Sequence, residues 1–308
     1  MKRLLCLLVM VMLLCGCTQQ KPVQTDFWAM DTYMNFKLWG TDAVAATEEI
    51  KQLVIDLEKT WSPTDDTSFL AQLNRGAAEP AAQQQILDKA MALSMRTDGA
   101  FDPRLHCVID LWGFLSEAPC LPEQEQIENA QVQKQWNLGA VLKGYAGQEA
   151  VNLLETLDIS SAILNLGGNI QTYGQKADGT PWRIAIQNPL GGDPVGIVSV
   201  TGTASVVTSG DYQRYFEQDD VRYHHILDPK TGYPADSGLS SVTVICRDGM
   251  TADALSTALF VMGLEQGADF WRQSDDFDAV WILSSGEIYA TEDVPLSGCE
   301  YEVISRED

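Results

Sequence analysis

Basic side chains are scarce in this chain: 20 Lys and Arg stand against 43 Asp and Glu in 308 residues, a formal charge of -23. A surface this negative repels phosphate backbones, and no basic stripe offsets it, which argues against a nucleic-acid partner. Charged residues make up only 20% of the chain, so the acidity reflects missing cations and not a dense acidic tail. With 45% apolar residues there is material for a core, which argues against intrinsic disorder. Long hydrophobic runs are lacking too. The apolar run Leu4–Leu14 has eleven residues, and crossing ~30 Å of hydrocarbon takes ~20. Histidine occurs three times and cysteine seven times, with a spacing that fits no zinc motif. There is no internal repeat and no low-complexity tract. A phosphate-bearing ligand would therefore need a local cation, a bound metal or backbone N–H groups.

The N-terminal segment has its own logic. Lys2-Arg3 followed by Leu4–Leu14 reads as an export signal. Leu14-Cys15-Gly16-Cys17 resembles a bacterial lipobox, so cleavage before Cys17 and lipidation of its thiol are expected, with Gln19-Gln20-Lys21-Pro22 as a polar tether. Ordinary secretion with a free Cys17 is the alternative. The expected organisation is a signal peptide over 1–16, a lipidated Cys and tether over 17–25, and one domain over 26–308. Localisation would then be the extracytoplasmic face of the cell membrane, held by a lipid anchor. Loss of Lys2 and Arg3 deepens the charge to -25. Cys107, Cys120, Cys246 and Cys299 would remain, with a Cys107–Cys120 disulfide or free thiols both open.

Along the remaining chain, 27–39 reads as a first strand. A helix over 42–59 follows, with Ile50, Leu53, Val54 and Leu57 on one face. Ser62-Pro63 starts a short helix ending near Asn74, and 83–96 makes another, closed by Asp98-Gly99. The stretch 100–113 reads as loop. Helices are expected over 123–135 and 143–157. Strands are expected over 162–166, 171–173, 183–187, 196–200, 204–207, 223–227 and 240–246. Two helices, 251–262 and 265–274, precede strands near 279–284 and 287–290. A helix-rich first half and a strand-rich second half favour an α+β fold over a doubly wound parallel sheet.

Several fragments carry chemistry. Asn165-Leu166-Gly167-Gly168-Asn169 and Thr208-Ser209-Gly210-Asp211-Tyr212 are turns whose backbone N–H groups could approach an anion, or simple hairpin connections. His224 and His225 are adjacent, so on a strand they face opposite sides and at most one enters a given pocket. Asp253 and Thr257 stand at i and i+4 of a helix, presenting a carboxylate and a hydroxyl as hard oxygen ligands of the kind Mg²⁺ takes, or merely a cap and a solvated Thr. Lys143-Gly144-Tyr145 at a helix start puts a cation beside free N–H groups, a phosphate contact or a surface Lys.

In order along the chain, Ala29-Met30-Asp31-Thr32, Ser62-Pro63, Asp98-Gly99-Ala100-Phe101-Asp102-Pro103, Leu111-Trp112-Gly113-Phe114, Leu138-Gly139-Ala140, Lys143-Gly144-Tyr145-Ala146, Asn165 to Asn169, Pro181-Trp182-Arg183, Thr208 to Tyr212, Tyr223 to Pro234 and Ala252 to Phe260 resemble the ApbE family of FAD:protein FMN transferases. The resemblance implies a single ApbE-like domain and a Mg²⁺-dependent enzyme. It would attach FMN from FAD to a Thr or Ser hydroxyl of a target protein through a phosphoester and release AMP. The expected acceptor is an exported or membrane flavoprotein.

By that resemblance, Ala140 (through its carbonyl), Asp253 and Thr257 hold Mg²⁺. Met30, Trp61, Ala100, Phe101, Asp102, Asn137, Lys143 and His225 line the FAD site, with His225 and Asp253 catalytic. One departure stands out: the family usually has Asp where this chain has Asn137, which keeps an acceptor and loses a charge. Two alternatives stay open, a FAD pyrophosphatase giving FMN and AMP, and an exported FAD-binding lipoprotein without chemistry.

Overall fold

The structure is a computed structural model that describes residues 21–77, 81–114, 116 and 118–307. The expected signal segment 1–16, the lipidation site Cys17, and Gln19 and Gln20 of the tether lie outside the described residues. No helix among the described residues is long and apolar enough to cross a membrane.

A hairpin opens the domain: β1 (Val23–Ala29) pairs antiparallel with β2 (Thr32–Gly40) across a two-residue turn at Met30-Asp31. Both turn residues have positive φ, 51° and 55°. That is the backbone a tight hairpin demands, although it usually falls to Gly or Asn. The expected single strand over 27–39 is thus two strands, and apolar Met30 at the first turn position hides the break between them. The helical part follows as α1 (Ala43–Trp61), α2 (Phe69–Asn74), α3 (Ala81–Arg96), α4 (His106–Trp112), α5 (Gln124–Gln131) and α6 (Leu142–Leu154). Helix α4 replaces the expected loop over 100–113. Its buried side chains, Val108 and Trp112, pack into an aromatic cluster with Phe114, Phe216, Tyr223 and Tyr233.

The second half supplies β3 (Ile159–Leu166), β4 (Asn169–Gly174), β5 (Trp182–Ile186), β6 (Gly196–Val200), β7 (Ala204–Gly210), β8 (Tyr215–Gln218), β9 (Val221–His224) and β10 (Leu239–Cys246). Then come α7 (Gly249–Arg272), β11 (Phe277–Leu283), β12 (Ile288–Thr291), β13 (Leu296–Ser297) and β14 (Glu302–Ile304). Nine strands form one sheet in the order β1-β2-β3-β4-β7-β10-β11-β12-β14. Every pairing in it is antiparallel except β12 with β14. The fold is therefore α+β, a single domain. Helix α7 has non-helical backbone at Gly263 (φ 78°), which breaks it where two helices were expected.

Strand alternation assigns the two faces of the sheet. Ala162, Leu164 and Leu166 of β3 pack on α1 and α6, and Val242, Val244 and Cys246 of β10 pack with α7. The intervening Ile163 and Ile245 face a three-stranded sheet, β13-β6-β5, on the other side. All four described cysteines, Cys107, Cys120, Cys246 and Cys299, are free thiols, so Cys107 and Cys120 do not pair here.

Candidate active site

Helices α6 and α7 meet where neither carries a side chain. A Cβ on Gly144 would collide with the carbonyl oxygen of Gly249 and lie 2.7 Å from Asp253 Cβ, and a Cβ on Gly249 would strike the Gly144 carbonyl. This approach lets Asp253 Oδ2 accept a 2.8 Å hydrogen bond from the Gly144 backbone N–H. Gly144 is the third residue of α6, so its N–H is one of the orphan donors of a helix start, and the carboxylate satisfies it as a cap would. The carbonyl of Ala140, which precedes the helix, is reached by no backbone or side-chain donor among the described residues. One bond thus fixes a carboxylate at the start of α6, next to an unengaged carbonyl.

Both groups open into a cavity of about 860 Å³, within the usual range of small-molecule sites. All eleven residues singled out from the sequence line it: Met30, Trp61, Ala100, Phe101, Asp102, Asn137, Ala140, Lys143, His225, Asp253 and Thr257. At one end Trp61 and Phe101 are buried in a cluster with Leu70, Leu87 and Leu142. The Trp61 ring stands edge-on to Phe69 at 5.3 Å. The Met30 backbone N–H donates to Glu58 Oε1 at 2.7 Å, which holds the strained turn at the rim. At the other end lie Asp253 and Lys143, and Lys143 forms no salt bridge among the described residues.

Burial raises the Asp253 carboxyl above its ordinary range, against the lowering pull of Lys143, the Asn169 side chain and the Gly144 N–H. Ser209 Oγ lies 2.8 Å from Ser256 Oγ and 3.4 Å from Thr257 Oγ1, tying β7 to α7 beside the carboxylate. Asn169, 5% exposed, lines the same wall and sets its side-chain amide toward that carboxylate. Sequence reasoning quoted the segments containing Ser209 and Asn169 without singling out either residue, because each shows its role only through its neighbours in space.

The two histidines, the last residue of β9 and the one after it, divide between core and cavity. His224 is buried: Nε2 lies 3.2 Å from the Ala235 carbonyl, Nδ1 accepts from the Ile226 N–H, and the ring stands edge-on to Phe260. His225 faces the cavity. Its Nδ1 is 3.2 Å from the Arg214 carbonyl. A carbonyl only accepts, so Nδ1 carries the proton and Nε2 is the basic nitrogen. Burial first, then the charges of Arg214 and Lys143, push His225 down to about 3.

Two expected residues are more constrained than the sequence suggested. The Asp102 carboxylate is engaged by the Arg104 N–H at 2.9 Å and by Lys134 Nζ at 3.3 Å. Asn137 Oδ1 accepts from the Gly139 N–H at 2.9 Å while its own N–H donates to Pro103. The Asn thus retains the loop-ordering acceptor that an Asp would supply.

The donor set suits a small hard cation. No group of three or more His, Cys, Asp or Glu able to hold a metal occurs among the described residues. One carboxylate, one hydroxyl and one carbonyl do belong to residues lining the same cavity, however, and they make the sparse oxygen set Mg²⁺ takes when a substrate phosphate completes its shell.

Comparison with known proteins adds to this geometry. A family profile described as the ApbE family matches residues 30–281. An FAD:protein FMN transferase of Treponema pallidum (strain Nichols) is 33% identical over 288 residues, covering 80% of this chain and 79% of that protein. One from Klebsiella pneumoniae (strain 342) is 34% identical over 280 residues, covering 82% and 86%. Among solved structures, the ApbE protein from Thermotoga maritima superposes with a TM-score of 0.82 at 31% identity, covering 88% of this chain and 97% of that one. The apo flavinyl transferase ApbE of Pseudomonas stutzeri superposes with 0.79 at 28% identity, covering 90% and 96%.

Proposed function

The chain belongs to the ApbE family, and from that premise we propose that it is an FAD:protein FMN transferase that depends on Mg²⁺ and releases AMP. The observation that carries this reading is the Gly144–Asp253 bond, which fixes a carboxylate in a cavity that Ala140, Thr257, Lys143 and His225 also line.

The flavin half of FAD suits the aromatic end, and the pyrophosphate suits the end with Lys143. Asp253, Thr257 and the Ala140 carbonyl would hold the cation. When bound, Mg²⁺ would neutralise pyrophosphate charge and polarise the phosphoryl oxygen, which a chain this acidic otherwise opposes. The acceptor hydroxyl oxygen forms the new bond to the FMN phosphorus, the bond from that phosphorus to the oxygen leaving with AMP breaks, and the hydroxyl proton leaves to a base. His225 Nε2 is the side-chain nitrogen suited to take it. Burial and its cationic neighbours hold His225 at about 3, which makes it a weak base. Two of the causes, the charges of Arg214 and Lys143, are the ones a pyrophosphate offsets, so substrate binding raises its basicity. Lys143 and backbone N–H groups are preorganised for charge that develops on the phosphoryl oxygens.

Export, a lipid anchor at Cys17 and an extracytoplasmic acceptor carrying a Thr or Ser site complete the proposal, on the strength of the lipobox resemblance. The deciding experiment mixes purified protein, FAD, Mg²⁺ and an acceptor with a Thr-containing flavinylation segment, then weighs the acceptor and measures free nucleotides. Acceptor gaining FMN with AMP release is expected, and EDTA should abolish it. FMN and AMP with an unmodified acceptor would mean hydrolysis instead; intact FAD would overturn both. His225→Ala should keep FAD affinity and lose transfer.

A further inference from the structure

Beside the large cavity lies a smaller trough of about 360 Å³, and the two share Asn165, Gly168, Gln187, Thr208, Tyr212 and Gln213 in their walls. One side of the trough is β5, an edge strand: within its sheet it pairs only with β6. Its buried residues Trp182, Ile184 and Ile186 alternate with exposed Arg183 and Ala185.

The hydrogen-bond pattern shows which way the backbone groups of β5 point. The Ile186 carbonyl accepts from Val195 at the head of β6. Ser199, opposite Arg183, instead donates its N–H to Pro295, on the side of β6 away from β5. In an antiparallel pair these directions alternate. The N–H and C=O groups of Arg183 and Ala185 therefore point outward from the sheet, and none has a partner among the described residues. Both residues line the trough. An edge left open in this way is a template for a further strand.

The two cavities also differ in charge. Asp31, Glu58, Asp102 and Asp253 line the large one, whereas the trough has no carboxylate in its lining and carries the guanidinium of Arg183. In an acidic protein this is a place where a neutral or acidic chain meets no repulsion.

We propose that the outer edge of β5 receives the hydroxyl-bearing segment of the acceptor protein as an added extended strand. Its Thr or Ser would pass through the shared wall into the FAD cavity. The inference rests on the transferase reading above. The occupant follows from the depth of the chemistry: Asp253 is 5% exposed, so the convex surface of a folded acceptor cannot reach it and an extended segment can. Main-chain pairing would then supply affinity, and the trough would select the side chains.

Two variants test this. Ala185→Pro removes an outward N–H and nothing on the β6 side, a substitution that edge strands tolerate. Arg183→Glu reverses the one charge in the trough. For each, KM for the acceptor should rise roughly tenfold, the equivalent of one or two lost hydrogen bonds, with FAD affinity, read by flavin fluorescence, kept within about twofold. An acceptor KM that stays at the wild-type value in both variants would overturn the proposal, as would a parallel loss of FAD affinity. If wild-type protein binds FAD yet never modifies the acceptor, the transferase reading is what fails.

Discussion

The aromatic end of the cavity and its polar end are held in place by different means. Trp61, Phe101 and Ala100 belong to a packed core cluster, 3%, 2% and 8% exposed. Burying each large side chain stabilises the fold by roughly 1.5–3 kcal/mol. At the polar end the wall carries the buried Asp253 carboxyl, raised by desolvation that Lys143, Asn169 and the Gly144 N–H offset only in part. Burying a carboxyl in this way costs free energy that packing does not return. One end is held by packing; the other is held in spite of its polarity. On the proposed reading, recognition of the flavin would be supplied by the core, and reactivity would be kept where the fold bears a cost.

The contrast can be broken at either end. Trp61→Ala should have the largest effect, a loss of about 3–5 kcal/mol in urea unfolding together with weaker FAD binding. A variant of wild-type stability would mean the aromatic end is not core at all. Asp253→Asn should do the opposite. Its carbonyl oxygen can still accept from Gly144 while the buried charge is gone, so Tm should hold or rise. Transfer should fall about 10²- to 10³-fold, the usual loss when a preorganised electrostatic group is removed. A drop in Tm matching that of Trp61→Ala would erase the distinction between the ends.

The smallest effect sharpens the comparison through pH. Folded His225 sits at about 3, below the ~6.5 of an unfolded imidazole. Between those values the unfolded chain binds the proton and the folded one does not, so wild-type stability declines as pH falls through that window. Asp253, whose carboxyl is raised by burial, works in the other direction, but equally in both proteins compared. The Tm of His225→Asn relative to wild type should therefore be constant above neutrality and shift in the variant's favour on acidification. A difference that ignores pH would show that His225 is ordinarily solvated.

Much of this was legible in the sequence wherever a period or a local pattern carried the information. Ile50 and Val54 at helical spacing marked α1, and Gly263 separated the two segments of α7. Asp253 and Thr257 declared themselves as an i, i+4 pair. Strand alternation predicted that only one of His224 and His225 would enter the pocket, although which one came from family resemblance. The hairpin at Met30-Asp31 was missed because Met30, an apolar residue, takes the first turn position, and one Asp inside an aromatic-rich run does not mark a break. Helix α4 was missed because Trp112 is held by aromatic rings from distant parts of the chain, two on β8 and β9 and one on the segment after them, and not by a helical stripe. The bond that orients Asp253 was illegible as geometry, since it depends on where the Gly144 N–H goes, and its partner is 109 residues away.

That separation has a kinetic meaning. Contacts between residues so far apart form only after a long loop has closed, and they belong to the slow part of folding. Until α6 has docked on α7 at Gly144 and Gly249, Asp253 has no N–H from α6 to orient it. On the proposed reading, a nascent or partly folded chain would therefore have no cation site to fill. Competence for phosphate chemistry would arrive with that helix pairing, and chains that fail to dock would be inert toward FAD instead of hydrolysing it without control.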